Sequence, residues 1–339
     1  TFRCRWDEKA APKAEHFATV DGESHAVEVT TQEAAMSESI TAIVGLDVGD
    51  RTSEVCVLSL EGEVDSRTQV RSTEAALTRL FGTAEPYRIA LEVGSHSRWI
   101  SQLLTSLGHE VIVANARKLR AIYQNDSKTD RTDAQMLAEI ARLSPKLLCP
   151  IVHRGEHAAL GLALVRSRAA LVRSRTLAVN HVRATVKSIG GRLRSWAPGS
   201  FAELEGDLPE ARQQALEPVM QVIAELSMQI VNYDKLIAGH VKASPEASLL
   251  KTIAGVGDIT SLTFVLTIED PNRFSSTRKI ASYLGLRPRL DQSGDQNPQL
   301  RITRAGDRML RCLLVQCAHY ILGKFGPDSD LRRWGLALA

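Results

Sequence analysis

TAIVGLDV (residues 41–48) is an apolar run that ends on an acid, Asp47, and is followed by the turn pair Gly49-Asp50. A short apolar run bounded by turn residues predicts a buried strand. Outward from it, SEVCVLSL (53–60) alternates as a second strand, Glu61-Gly62 turns the chain, and EVDSRTQV (63–70) returns as a third. Ser72 is placed to cap a helix that runs to about Phe81. RIALEV (88–93) reads as a fourth strand, Ser97 to Leu107 as a helix stopped by Gly108, and EVIVAN (110–115) as a fifth strand. Helices are expected over 116–124 and 130–143. Three antiparallel strands followed by alternating helix and strand predict an α/β domain, a mixed sheet with helices on its faces.

That element order is the order of an RNase-H-like domain, and its acids fall where such a sheet assembles its chemistry. Asp47 ends strand one and Glu92 ends strand four, each after buried positions where an uncompensated charge is costly. Asp130 and Asp133, in KTDRTDA, stand three apart on one face of a helix start. Taken alone, that pair also reads as an N-cap and a first-turn acid favoured by the helix dipole. Taken with Asp47 and Glu92, the four carboxylates repel one another unless a divalent cation neutralises them. Oxygen-only ligands suit Mg2+ or Mn2+ rather than zinc, and two such ions suit phosphodiester chemistry.

Beyond Pro145 and Pro150, Glu156 to Ile189 contains no proline, and Val165, Val172, Val179 and Val186 fall seven apart. This predicts a long amphipathic helix, a coiled-coil-like arm, with Arg166, Arg173 and Lys187 on one track and Arg168 and Arg175 on another. Residues 156–194 carry eight Lys or Arg against one acid, an electrostatic footprint suited to a polyanion or to a solvated face. A second helix is expected from about Pro209 to Val241, bent at Pro218, the two forming a stalk. In LLKTIAGVGDITSLTFVL (249–266), Gly255-Val256-Gly257 joins two helical patterns as a helix-hairpin-helix does, with bare amides for a DNA phosphate. Residues 272–312 hold nine Lys or Arg against three Asp.

The whole chain bounds these readings. Its net charge is +3, its five cysteines show no C-x-x-C, and no apolar run reaches membrane length, so a disulfide framework, a zinc site and a membrane span are not expected, and a cytoplasmic protein is. Residues 1–35 show no sustained helix or strand period and Met36 immediately precedes the first patterned segment, so an N-terminal extension is drawn over 1–38. A disordered or artefactual extension is expected there, then a catalytic domain over 39–150, a helical stalk over 151–245 and a mainly α C-terminal domain over 246–339.

The segments IVGLDVG, ALEVGS and SKTDRTDAQMLAEIARL resemble the N-terminal domain of the DEDD transposases of the IS110 insertion sequences, their IS1111 subgroup included. That domain is similar to the RuvC junction resolvase. LLKTIAGVGDITSLTFVLTI, FSSTRKIASYLGLRPRLDQSG and LRITRAGDRMLRCLLVQCA resemble the C-terminal domain of the same family. The resemblance spans about 40–335, the middle helices in character only. It implies a metal-dependent DNA recombinase in which Asp47, Glu92, Asp130 and Asp133 bind Mg2+ or Mn2+. It further implies that Ser293, in DQSG, attacks DNA to form a phosphoserine link. From the residues alone, Ser293 before Gly294 is a turn residue. Arg287, Arg289, Arg301 and Arg304 are then candidates to hold phosphates around it, with Lys128 near the metals. The family acts with a structured guide RNA, which the basic helix would hold if it does not hold DNA. A reaction on two DNA ends suggests a homodimer or tetramer. Family members extend past the position of Ala339 with a further basic helix, so the C-terminal domain is expected to be truncated.

Three other functions compete. A RuvC-like junction nuclease would need the carboxylates but not Ser293. An actin-like phosphotransferase would share GLDVGDRTSEVCVLSLEGEV as a phosphate hairpin, although a second Asp-Gly phosphate loop is missing. A DNA-binding protein without catalysis would be indifferent to Asp47 and Glu92.

Overall fold

The computed structural model describes residues 39–118, 129–193, 210–294 and 296–338. The expectations for residues 1–38, for most of the 116–124 helix and for Lys128 lie outside them. The chain divides into two compact units between His153 and Arg154.

The first unit is a five-stranded mixed sheet in the order β3-β2-β1-β4-β5, compatible with an RNase-H-like fold. Its strands are β1 (Ala42–Val48), β2 (Thr52–Leu58) and β3 (Val64–Arg71), followed by β4 (Tyr87–Glu92) and β5 (Glu110–Ala114). Helices α1 (Glu74–Phe81) and α2 (Ser97–Ser106) interrupt the strands, and α3 (Asp130–Leu143) follows them. β1 runs antiparallel to β2 and parallel to β4, so β1 and β4 bring their C-terminal ends to one edge. The period of two sorts the side chains. Val44, Leu46, Ile89 and Leu91 pack on Leu77 and Phe81 of α1 and Ile100 and Leu104 of α2. Ile43, Ala90, Cys56 and Leu58 face the other way, onto Ala134, Leu137, Ala138 and Ala141 of α3.

Gly45 lets α3 reach the sheet. A Cβ there would stand 1.8 Å from the Ala134 carbonyl oxygen and 2.7 Å from the Ala138 nitrogen, so any side chain holds the helix off β1. Ser72 does not cap α1; Thr73 holds the cap position, without a side-chain bond. The Ser72 hydroxyl instead donates to the Gly49 carbonyl at 2.8 Å and lies 2.8 Å from that of buried Ser53, so it buttresses the β1–β2 turn. β3 is exposed along nearly its whole length, as an edge strand with polar alternation should be.

In the second unit α4 (Glu156–Ser188) and α5 (Glu210–Ala243) lie antiparallel. Arg168 chelates Asp234 at 2.5 and 3.3 Å, and Arg175, one heptad on, reaches Ser227, seven residues back, at 3.2 Å. One end of the pair is sealed by Val179, Val182, Val186, Leu216, Met220 and Ile223. The other end is not a free stalk. Ala158, Leu162, Val165, Ile237 and Val241 share one core with Ala247, Leu262 and Leu266 of the C-terminal part, so pair and C-terminal part form one body. α5 continues through Pro218. α6 (Pro245–Leu250), α7 (Asp258–Ile268), α8 (Thr277–Tyr283), α9 (Arg308–Leu322) and α10 (Asp330–Leu338) complete the unit. Among the described residues no helix is long and apolar enough to cross a membrane, and the four described cysteines are free.

Candidate functional site

Asp47 follows Leu46, which is registered beside Leu91, so Asp47 and Glu92 stand next to each other where two parallel strands end. By alternation Asp47 shares the face of Ile43 and Gly45, and Glu92 that of Ala90. This is the face α3 covers, and α3 begins at Asp130. All four predicted carboxylates thus belong to one edge and one face of the sheet. Asp130 is not the helix cap. Thr129 takes that place, its hydroxyl accepting from the Thr132 amide at 3.2 Å, which leaves Asp130 and Asp133 as first-turn acids at the positive end of the helix. Asp47, Glu92 and Asp133 are half-buried and Asp130 is exposed. Their oxygens do not meet: among the described residues no three such side chains stand close enough to hold one ion as placed. The donor set, carboxylate oxygens alone, is nevertheless the kind a hard divalent cation takes.

Several residues around this edge carry no signal in the sequence pattern. Glu54 is registered opposite Asp47, accepts from Gln69 at 2.7 Å and pairs at 3.9 Å with Arg131, the residue after Asp130. The loop after Glu92 is closed by Ser97, whose buried hydroxyl donates to the Gly94 carbonyl (2.8 Å) and accepts from the Gly94 amide (3.1 Å). His153 lies 3.2 Å from the same hydroxyl, and burial together with Arg98 lowers its pKa. The Trp99 indole donates to Nδ1 of His96 at 3.1 Å, so the ring proton sits on Nε2, 3.3 Å from Asp50 in the β1–β2 turn. A search for acids at strand ends cannot see these polar partners, because their spacing follows the loops and not the strand period.

Ser293 occupies the exposed tip of a hairpin. The Arg289 amide donates to the Arg301 carbonyl (3.0 Å), and the Thr303 amide to the Arg287 carbonyl (2.9 Å). Ser293 and Gln296 exchange backbone bonds around Gly294 at φ +54. Pro288 is bridged to Ile302, so Arg287, Arg289 and Arg301 project on one side of the ribbon. All three are exposed. Three like charges on one side repel each other, and a polyanion relieves that. Arg304 lies at the hairpin root with φ +55.

The other predicted contacts divide. The Arg166 guanidinium pairs with Asp307 at 3.0 Å, and Asp307 also caps α9 by accepting from the Leu310 amide at 2.9 Å. Arg166 therefore ties α4 to α9. Arg168 and Arg175, on the second basic track, bind α5. Arg173 is exposed on α4. Gly255 and Gly257 are exposed in a turn between helices of 6 and 11 residues, the first shorter than the apolar pattern suggested. Gly255 has φ +83, and Lys251 pairs with Asp258 across the turn.

Comparison with known proteins gives two family matches. Residues 44–190 match a family of DEDD transposases of the IS110 type, and residues 247–332 match one described as the transposase IS116/IS110/IS902 family. A putative transposase of Sinorhizobium fredii is 30% identical over 269 residues, covering 77% of this chain and 69% of that protein. A probable family 20 transposase of Pseudomonas aeruginosa is 26% identical over 300 residues, covering 86% and 87%. A pilin gene-inverting protein of Moraxella lacunata is 25% identical over 298 residues, covering 84% and 83%.

Proposed function

We propose, from the premise that this chain belongs to the IS116/IS110/IS902 family of insertion-sequence transposases, that it cuts and rejoins DNA with two sets of residues, the sheet-edge carboxylates and Ser293. Asp47, Glu92, Asp130 and Asp133 would hold Mg2+ or Mn2+, which when bound would supply Lewis-acid chemistry to a phosphodiester. Thr129 fixes the start of α3, and Gly45 lets that start approach Asp47. At the other site the Ser293 oxygen bonds to phosphorus as a phosphorus–oxygen bond of the DNA strand breaks. The serine proton passes through solvent to the departing DNA oxygen, and the strand stays on the enzyme as a phosphoserine ester until a DNA hydroxyl attacks phosphorus and its proton passes through solvent to the released serine. Arg287, Arg289, Arg301 and Arg304 hold the flanking phosphates, and Lys128 orients one near the ions. Arg173 and the turn amides at Gly255 and Gly257 add contacts to DNA or to a guide RNA, and two or four copies bring two DNA ends together. A gene-inverting relative suits this reading, since inversion and insertion use the same breaking and joining steps.

The observation that carries the proposal is the register that sets Asp47 beside Glu92 on the face covered by α3. The test incubates the protein with duplex DNA carrying element ends and reads strand cleavage and covalent adduct on denaturing gels. Asp47→Asn and Glu92→Gln should lower cleavage by about a hundredfold or more. Ser293→Ala should abolish the adduct. Cleavage by Asp47→Asn at the parental rate would overturn the carboxylate half of the proposal.

A further inference from the structure

The hairpin that carries Ser293 is held at its root by one buried cation, and we propose that Arg311 is a positioning residue for Ser293. The inference rests on the reading of Ser293 as nucleophile. Arg311 lies in the first turn of α9 and is only 8% exposed. Its guanidinium donates to the Leu284 carbonyl at 2.9 Å and to the Ala305 carbonyl at 2.7 Å. These oxygens belong to the two ends of the hairpin, one before its first strand and one after its second. The two ends touch backbone to backbone because of two glycines. A Cβ on Gly285 would stand 2.2 Å from the Ala305 oxygen, and one on Gly306 would stand 1.9 Å from the Tyr283 oxygen; both have positive φ, +70 and +71. A buried guanidinium is costly unless its donors are met, and here each bond it makes also closes the root.

A root clamp matters because the ribbon beyond the root is slight, although the Arg304 amide also donates to the Gly285 carbonyl at 3.1 Å there. Its ladder is short and its arginines face solvent, and an isolated two-stranded hairpin is marginal in water. From Gly285 to Ser293 the strand reaches about 26 Å at full extension, so a tilt of roughly 10° at the root carries the serine about 4 Å. Displacement of that size removes a nucleophile from its phosphorus without unfolding anything. The clamp is itself anchored: Asp307 caps the helix that bears Arg311 and is held by Arg166.

The test compares Arg311→Met and Arg311→Lys in the full chain. Three readouts are taken: equilibrium binding to element-end duplex, the rate of covalent adduct formation, and amide exchange at Arg289 and Thr303. Arg311→Met should bind duplex within about twofold of the parent, form adduct about thirtyfold or more slowly, and exchange those two amides about tenfold faster. Arg311→Lys, whose ammonium still bonds a carbonyl, should recover most of the rate. Adduct formation by Arg311→Met at the parental rate would overturn the inference. So would a parallel loss of binding, folding and adduct in both variants, because that is the mark of a general structural role. Adduct retained by Ser293→Ala would remove the nucleophile reading itself, whereas the exchange data still report separately whether Arg311 holds the hairpin.

Discussion

Gly45→Ala tests whether the approach of α3 to β1 builds the acidic edge. The added Cβ would sit 1.8 Å from the Ala134 oxygen, where ordinary contact begins at 3.4 Å, so the helix must withdraw by about 1.6 Å at that point. Both neighbours are backbone atoms, and no side-chain rotation relieves the clash. Overpacking of this kind costs about 1–3 kcal/mol. At roughly 4 °C per kcal/mol for a unit of this size, the melting temperature should fall by about 4–12 °C. The functional effect should be larger than the loss of stability. Asp133 immediately precedes Ala134, so withdrawal of the helix carries Asp130 and Asp133 away from Asp47 and Glu92. A misplacement of about 1 Å costs on the order of a hundredfold in rate. Calorimetry and metal-dependent cleavage, both measured well below the melting temperature, separate the two effects. A variant that melts within 1 °C of the parent and cleaves within about twofold of it would show that the approach of α3 at Gly45 does not set the acidic edge. Gly239→Ala is the matched control, because nothing lies within 4 Å of a Cβ there and the position is inside α5. It should stabilise by roughly 0.5–1 kcal/mol and leave cleavage unchanged.

Further expectations follow from single contacts. His109 is buried with Nε2 donating to the Phe81 carbonyl (3.1 Å) and Nδ1 accepting from the Tyr87 amide (3.2 Å), and burial lowers its pKa from 6.5. The unfolded chain therefore takes up a proton below about pH 6.5 that the folded chain resists, so stability should be complete above that pH and decline beneath it. His153 acts in the same direction. Denaturant midpoints from pH 7.5 to 5 should fall less steeply in His109→Gln; an unchanged slope would be contrary to this assignment. Arg168→Ala breaks a partly exposed pair across α4 and α5 and should cost about 1 kcal/mol or less, read by urea melts, with no change in cleavage. A large loss of DNA binding in that variant would return Arg168 to the nucleic-acid surface.

Much of this was legible because buried strands announce themselves. Apolar runs located β1 and β4, and the acids Asp47 and Glu92 at or near their ends are legible without the packing. The spacing of valines on α4 likewise foretold its partner helix. What the pattern hid depends on contacts between distant residues. Arg166 reads as one of a basic track, yet its partner Asp307 lies 141 residues away. Asp130 looks like a cap until Thr129 is seen to fill that role. Ser72 has the right residue type to cap α1 and instead braces a turn 23 residues earlier. The hairpin around Ser293 has no strand signature, because its ladder is short and its root depends on two glycines and a buried arginine from another helix.

The carboxylate edge is tested most directly by a crystal structure grown with Mn2+ and read by anomalous scattering. One or two peaks are expected within about 2.0–2.6 Å of oxygens from Asp47, Glu92 and the Asp130–Asp133 turn. Mn2+ bound elsewhere, with those four side chains still apart at saturating metal, would mean that the carboxylate edge is not a metal centre.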